Sequence, residues 1–436
     1  MDMSAEKKQP NVLWVFGDQH RAQALGYMGN DQLATPNIDA LASRGITFTN
    51  AVAGCPWCTP FRGSLITSLY IHDAVQKTPQ RLNPELPTIA DAFNEAGYMT
   101  AWFGKWHLAG SNNRVYVEPE LRGRFQKWEG YENNNAQYDS WVHSNTDGVA
   151  DETFLDGYET DVMTNRMIDF LDDRKSNDQP FFAVLSVQPP HNPYVAPEEY
   201  AKRHKPEDIE LRPNVPLVES VRERARKDLA GYYAMIENFD DNMGRLIDAL
   251  KRNGQAENTI IVFFADHGDT HGSHGFFRKS NPYEEALRIP CIWFLPGGKT
   301  GESDAPLNHV DYAPTTLGLC GIDVPDWMAG TDFSSHILAE DNPDPAQEPR
   351  SAYLQQCAYK GFECIDRPWR GIRTRDGWKY VCVEGQPLLM TNLNEDPYET
   401  QNLAYHPERR EKRMELQAEL EAWIEKTGDD FPLPTF

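Results

Sequence analysis

Cys58 opens the run Cys58-Thr59-Pro60-Phe61-Arg62, and apolar Leu65, Ile66 and Leu69 follow at helical spacing. The pattern predicts a helix with a sulfur at its mouth, because proline suits a first turn where its missing N–H would have no helical partner. Free backbone N–H groups at such a mouth favour an anion, and Arg62 adds fixed positive charge. Alone, these five residues fit equally a buried cysteine beside a helix-starting proline. Other groups along the chain argue for chemistry. Asp18 and the pair Asp266-His267 each follow an apolar run, as do Gly104-Lys105-Trp106-His107 and Pro189-Pro190-His191. Two carboxylates brought together repel each other, and a divalent cation is the usual remedy.

The elements that must position these groups are strands. Residues 12–16, 98–103, 181–185 and 259–264 are near-continuous apolar runs, the pattern of strands buried on both faces. Open α/β sheets bind ligands beyond the carboxyl ends of their strands, so four such ends carrying polar groups point to one crevice. Residues 37–44, 88–96, 160–171 and 221–251 read as helices. In the last of these, Tyr233, Ile236, Phe239, Met243, Leu246 and Leu250 recur every three or four residues and are expected in the core. The polar, aromatic segment 111–160, with Asn133-Asn134-Asn135, reads as an excursion over the site and a candidate substrate-facing lid.

The expected fold is α/β: a large, mixed, mostly parallel sheet sandwiched by helices, with a smaller C-terminal α+β domain of antiparallel strands and a helix at 406–426. Asp341-Asn342-Pro343-Asp344-Pro345 reads as the linker, giving a catalytic domain over 1–345 and a C-terminal subdomain over 346–436.

Composition fits an ordinary soluble globular protein with ample core-forming material. The 436 residues are 40% hydrophobic and 25% charged. Acidic residues number 66 against 42 basic, a formal net charge of −24 that argues against nucleic acid and anionic membranes as partners. An anionic substrate then requires a local reversal of field by a metal and a few Lys, Arg and His. No apolar run reaches membrane-spanning length. The polar start 1–8 carries no secretory hydrophobic segment, so the expectation is a cytoplasmic protein, or a periplasmic one if a leader was trimmed. Seven thinly spread cysteines do not suggest a disulfide framework. Cys55-Pro56-Trp57-Cys58 is formally a C-x-x-C, but no second such pair exists to complete a zinc site.

The motifs in their order resemble the type I, formylglycine-dependent sulfatases of the alkaline-phosphatase superfamily. They are Gly17-Asp18-Gln19, the C-x-P-x-R signature at Cys58, Gly104-Lys105-Trp106-His107 and Pro190-His191-Asn192-Pro193. Ala265-Asp266-His267-Gly268, His271-Gly272-Ser273-His274-Gly275, Lys279, Tyr283-Glu284-Glu285 and Arg288-Ile289-Pro290 follow, with the tail 394–399. The resemblance implies a hydrolase of sulfate monoesters, of which a sulfated sugar is one candidate, with Cys58 oxidised to formylglycine by a formylglycine-generating enzyme. It implies one divalent cation held by Asp18, Gln19, Asp266, His267 and residue 58. Oxygen-rich ligation favours calcium, and His267 leaves manganese or magnesium open. By the same resemblance Cys58, Arg62, Lys105, His107, His191, Asp266 and Lys279 are catalytic. Lys105 and Lys279 would neutralise the sulfuryl group and His107 would take a proton as sulfate leaves. His191 would donate to the departing oxygen, with Lys279 as rival.

Three positions depart from the family pattern. Gln19 stands where a second acid is common, Phe61 where serine, threonine or alanine is common, and Ser68 where glycine often ends the motif. Four other readings compete. A phosphonate monoester or phosphodiester hydrolase would share the fold and nucleophile. A two-metal phosphatase would use His267, His271 and His274. The others are a non-catalytic binder and a thiol redox module on Cys55 and Cys58. His20, Arg21, Trp57, His72 and Arg288 flank the motifs and are candidate substrate readers. A homo-oligomer is allowed.

Overall fold

Strand β1 (Asn11–Gly17) sends Val12, Trp14 and Phe16 to one face and Leu13 and Val15 to the other, and all five are fully buried. That is why the run is apolar throughout: helices cover both sides of the sheet it centres. The computed structural model describes residues 9–144, 152–339, 348–358 and 365–435. The anticipated linker at 341–345 lies outside them.

The other strands of the large sheet are β2 (Ile46–Phe48), β3 (Met99–Lys105), β4 (Lys127–Tyr131), β5 (Ser140–His143), β6 (Glu152–Leu155), β7 (Phe181–Val187), β8 (Thr259–Ala265), β9 (Cys291–Phe294) and β10 (Gly301–Ser303). Their order is β10-β2-β9-β8-β1-β7-β3-β4-β5-β6. The four strands predicted to carry the site, β8, β1, β7 and β3, are adjacent and parallel. β9 and β5 run against their neighbours and make the sheet mixed. The helix Cys58–Thr67 contributes Phe61, Leu65 and Ile66 to the core on one face. The long helix Glu219–Arg252 lays Tyr233, Ile236, Phe239, Met243, Leu246 and Leu250 on the other, as its periodicity requires.

Segment 111–160 is more regular than a lid. Three of its stretches form β4, β5 and β6 and extend the sheet, while its loops reach the site described below. The stretch 145–151 lies outside the described residues.

Beyond residue 350 a second sheet runs β11 (Ser351–Gln356), β12 (Trp369–Thr374), β13 (Trp378–Val383) and β14 (Gln386–Asn392), antiparallel throughout. The helix Arg410–Thr427 packs Leu416, Leu420 and Trp423 against Tyr353, Ile372 and Tyr380. Buried ion pairs from Glu284 to Arg373 (3.2 Å) and Lys379 (3.2 Å) tie this sheet to the large one. Among the described residues no helix is long and apolar enough to cross a membrane.

Candidate active site

Register brings the two acids together. Gly17 of β1 lies opposite Ala265 of β8, so Asp18 and Asp266 leave neighbouring strands at the same level. The helix Cys58–Thr67 begins at the predicted cysteine after an extended Trp57 (φ −151°), and Phe61 N–H closes its first turn on Trp57 O at 3.0 Å. This places Cys58 Sγ 3.5 Å from Asp18 Oδ1, 3.1 Å from His267 Nε2 and 2.9 Å from Lys279 Nζ. At its far end Ser68 takes the left-handed conformation (φ 56°), which explains why glycine suits that position. Serine is held there by donating from Oγ to Val310 O (2.6 Å) and accepting from Gly330 N–H (3.1 Å). Phe61 fills core space against the His309 ring, 5.1 Å away.

Three cations frame the carboxylates. Lys105 Nζ reaches Asp18 Oδ2 at 2.6 Å. Arg62, fully buried, donates from one nitrogen to Lys105 O (2.9 Å) and Ser186 Oγ (2.8 Å) and from another to Asp18 (3.4 Å) and Asp266 (3.1 Å). Lys279 Nζ lies 3.8 Å from Asp18 Oδ1. Burial raises the Asp18 pKa, but Lys105 and Lys279 outweigh it and hold the carboxyl well below its usual range. Asp266 moves the other way, pushed up to about 6 by burial and by Asp18. Burial and Asp18 also push the Cys58 thiol up, yet Lys279, His267 and Lys105 prevail and hold it well below the ordinary thiol range. Cys55 shows the contrast: burial pushes its thiol well up. Both cysteines are free, which leaves the C-x-x-C without a disulfide.

The donor set suits a divalent cation. Ligand atoms of Asp18, Cys58, Asp266 and His267 all lie within 4.8 Å of one another. His267 donates from Nδ1 to Gly268 O at 2.9 Å, which leaves the Nε2 lone pair facing the cluster. Gln19 has a left-handed backbone (φ 70°), and its N–H donates to Asp266 Oδ1 at 2.9 Å. Its side-chain Nε2 donates to Asp269 Oδ2 at 2.7 Å, while its Oε1 is buried with no partner. A buried orphaned acceptor needs a donor or a cation. No second group of three or more His, Cys, Asp or Glu ligands occurs among the described residues. His271 is enclosed by the rings of Tyr232 and Tyr194, and His274 stacks on Tyr283 at 3.8 Å, so neither joins the cluster as a two-metal site would require.

The cluster opens into a cleft of about 440 Å³. Lys105, His107, His191 and Lys279 line it beside Cys58, and Trp57 joins them. The other candidate readers do not line it. His20 faces Ala24 O, Arg21 bonds Tyr233, His72 bonds Thr427 O, and Arg288 bonds Thr49 O. Six cleft residues were given no role by the sequence reading: Thr78, Asn112, Asn133, Asn135, Asn192 and Arg278. The asparagine run was visible, but nothing in it says which amide faces the site. His107 Nε2 lies 3.0 Å from Asn112 Oδ1, and its Nδ1 is buried without a partner. A carboxamide oxygen only accepts, so the proton sits on Nε2 and Nδ1 is the free base.

This architecture is that of the alkaline-phosphatase-like sulfatases, with Cys58 beside the acidic cluster at the head of the cleft. The Sulfatase profile matches residues 10–322, and that of the N-sulphoglucosamine sulphohydrolase C-terminal region matches residues 272–426. The chain belongs to the sulfatase family. It is 34% identical to an ulvan-active sulfatase of Formosa agariphila, covering 99% of this chain and 84% of that protein. An N-acetylglucosamine-6-O-sulfatase of Bacteroides thetaiotaomicron is 26% identical over 98% of this chain and 88% of its own. The crystal structure of a Bacteroides fragilis sulfatase superposes with a TM-score of 0.88 at 28% identity, covering 99% and 98% of the two chains.

Proposed function

We infer that this chain hydrolyses sulfate monoesters to alcohol and sulfate after oxidation of Cys58 to formylglycine by a formylglycine-generating enzyme. One observation carries the reading: the Cys58 sulfur touches His267 and Lys279 at the head of a cation-lined cleft. As the formylglycine hydrate, residue 58 supplies one hydroxyl to attack sulfur and a second whose deprotonation releases sulfate and restores the aldehyde. Asp18, Gln19, Asp266 and His267 hold the cation together with residue 58. Four oxygen donors favour calcium, with manganese or magnesium as the choices that His267 permits. When bound, the cation supplies Lewis-acid charge at the sulfuryl group.

The protein's own groups divide the remaining work. Lys105 and Lys279 bring ammonium charge to the sulfuryl oxygens, where preorganised charge stabilises the transition state. Arg62 fixes Asp18 and Asp266 in place and offsets their mutual repulsion. Asp266 accepts the proton of the attacking hydroxyl. His107, with its proton held on Nε2 by Asn112, accepts the second at Nδ1. His191 donates from Nδ1 to Asn192 O at 2.6 Å, so its Nε2 could donate only as imidazolium. Burial and Lys279 push the His191 pKa well down, which opposes that form. Protonation of the departing oxygen therefore falls to Lys279.

Mass spectrometry of the peptide spanning Cys58, from a host co-expressing the oxidising enzyme, tests the maturation. Paired assays on an aryl sulfate and an aryl phosphodiester test the reaction. Conversion to the aldehyde with preference for the sulfate is expected; an unmodified thiol in active protein, or a clear preference for the diester, overturns the reading.

A further inference from the structure

We propose that the carboxamide N–H groups of Asn112, Asn135 and Asn192 form a donor wall for the alcohol half of the substrate, and that this half is an uncharged, hydroxyl-bearing ring such as a neutral sugar. The proposal rests on the sulfate-ester hydrolase reading above and specifies what that site accepts.

All three side chains line the cleft with Cys58. In each the carboxamide oxygen is already engaged. Asn112 Oδ1 accepts from His107 at 3.0 Å, Asn135 Oδ1 from Gln188 Nε2 at 2.8 Å, and Asn192 Oδ1 from Gln19 Nε2 at 3.5 Å. Fixing the oxygen fixes the amide, so each side chain keeps Nδ2 as its uncommitted end. Among the described residues none of the three Nδ2 groups has a protein partner.

The wall is built before any ligand arrives. Gln188, one residue past β7, clamps Asn135 twice: its Nε2 donates to the side chain, and its Oε1 accepts the Asn135 backbone N–H at 3.1 Å. Asn135 is held there with a left-handed backbone (φ 50°). Asn133 Nδ2 donates to Asn112 O at 3.1 Å and ties the two stretches of this segment together. Groups fixed in advance lose little entropy on binding.

Charge defines the ligand class. Neutral N–H donors pair with hydroxyl, ring or acyl oxygens. Among the described lining residues there is no carboxylate apart from the metal cluster behind Cys58, and Trp57, only 5% exposed, is the sole aromatic ring. A quaternary-ammonium alcohol would find neither a counter-charge nor an aromatic cage. A uronate would look to Arg278. That guanidinium bonds Tyr194 OH at 2.5 Å and Asp228 at 3.4 Å and lies over the Tyr194 ring. Lys105, Lys279, His107 and His191 cluster at the sulfuryl end. The rest of the lining is Trp57, Thr78, the engaged Arg278 and carboxamides.

The test compares kcat/KM of the formylglycine-bearing, full-length enzyme on 4-nitrophenyl sulfate, a panel of neutral monosaccharide sulfates, a uronate sulfate and choline sulfate. A neutral monosaccharide sulfate should exceed the uronate and choline esters by at least about tenfold, since only its hydroxyl and ring oxygens suit all three neutral N–H donors. Asn135→Ala should lose about tenfold more on that sugar ester than on the aryl ester. Asn135→Asp keeps the oxygen that Gln188 binds but replaces the donor, so it should show the same split with the fold intact. Preference for choline or uronate sulfate, or equal losses on sugar and aryl esters, overturns the wall while the hydrolase reading stands. Failure on every sulfate ester, the aryl one included, overturns the hydrolase reading and the wall with it.

Discussion

Asp269 pins the carboxamide of Gln19: Oδ2 accepts from Nε2 at 2.7 Å, which leaves Gln19 Oε1 as the end without a protein partner. The negative charge that a second acid would bring to position 19 thus reappears one hydrogen bond away. Asp269 is fully buried, and although burial raises its pKa, His271 and Arg278 hold the carboxyl far below its usual range, so it stays charged. Asp269→Asn frees the amide to turn its NH2 toward the cluster. Calcium affinity by titration calorimetry should then fall by about ten- to a hundredfold, the usual penalty for losing a group that orients a ligand. Unchanged affinity would remove Gln19 from the ligand set. A thermal melt without metal checks that the backbone N–H groups of His271 and Arg278, which also bond Asp269, remain ordered.

Arg62 is the structural counter-charge of the site. Removing it as Arg62→Ala leaves Asp18 and Asp266 buried and facing each other without their shared guanidinium. The metal-free protein should lose about 3–5 kcal/mol of unfolding free energy. Saturating calcium should restore part of that loss, because a cation answers the same repulsion. Denaturant melts with and without calcium check it, and an equal loss in both would mean that Arg62 acts through packing alone.

Glu159 is the buried acid beside the site that the chemistry leaves unused. Tyr131 OH donates to its Oε1 at 2.6 Å and Gln188 N–H at 3.3 Å, while Oε2 has no partner. Burial pushes its pKa up from 4.5 to about 7, against the lowering effect of those bonds. The folded state therefore binds this proton more tightly than the unfolded chain does. Its contribution to stability is full below pH 4.5, declines as pH rises through about 7, and amounts to about 3 kcal/mol. Glu159→Gln keeps the accepting oxygen and cannot ionise. Melting temperatures from pH 5 to 8 should fall in the parent and flatten in the variant; parallel curves would refute the assignment.

How much of this could be read from the sequence depended on how local each cause is. Strands β1, β3, β7 and β8 are built on apolar runs because both faces are covered, so they were visible, and the polar residue at or just past each carboxyl end came with them. The Cys58 helix start is equally local, set by Pro60 and the residues that follow. Strands β4 to β6 were not visible, since they are four or five residues long and lie near or at the sheet edge in a polar segment. The roles of Asp269 and Asn135 were beyond reach as well. Each depends on one partner, 250 and 53 positions away, that fixes an amide's direction, and no periodicity records such a pairing.

The division of labour between Lys279 and His191 is the sharpest remaining question about the chemistry. Burial opposes charge on Lys279, but in the thiol form Cys58, Asp18 and Asp266 prevail and raise its pKa; the two carboxylates stay beside it once residue 58 is oxidised, so it reaches the cleft as an ammonium with three donors. His191 has spent its one neutral-form proton on Asn192 O. An acid that protonates the departing oxygen matters most when that oxygen is a poor leaving group. Lys279→Ala should therefore cost about a hundred- to a thousandfold in kcat on an alkyl sulfate and clearly less on 4-nitrophenyl sulfate. His191→Ala should lose similar factors on both. A series of aryl sulfates of graded phenol acidity checks this through the slope of log kcat against leaving-group pKa. That slope should steepen for the lysine variant and stay near the parent value for the histidine one. The reverse pattern would assign the proton to His191, as imidazolium formed only once the anionic ester is bound.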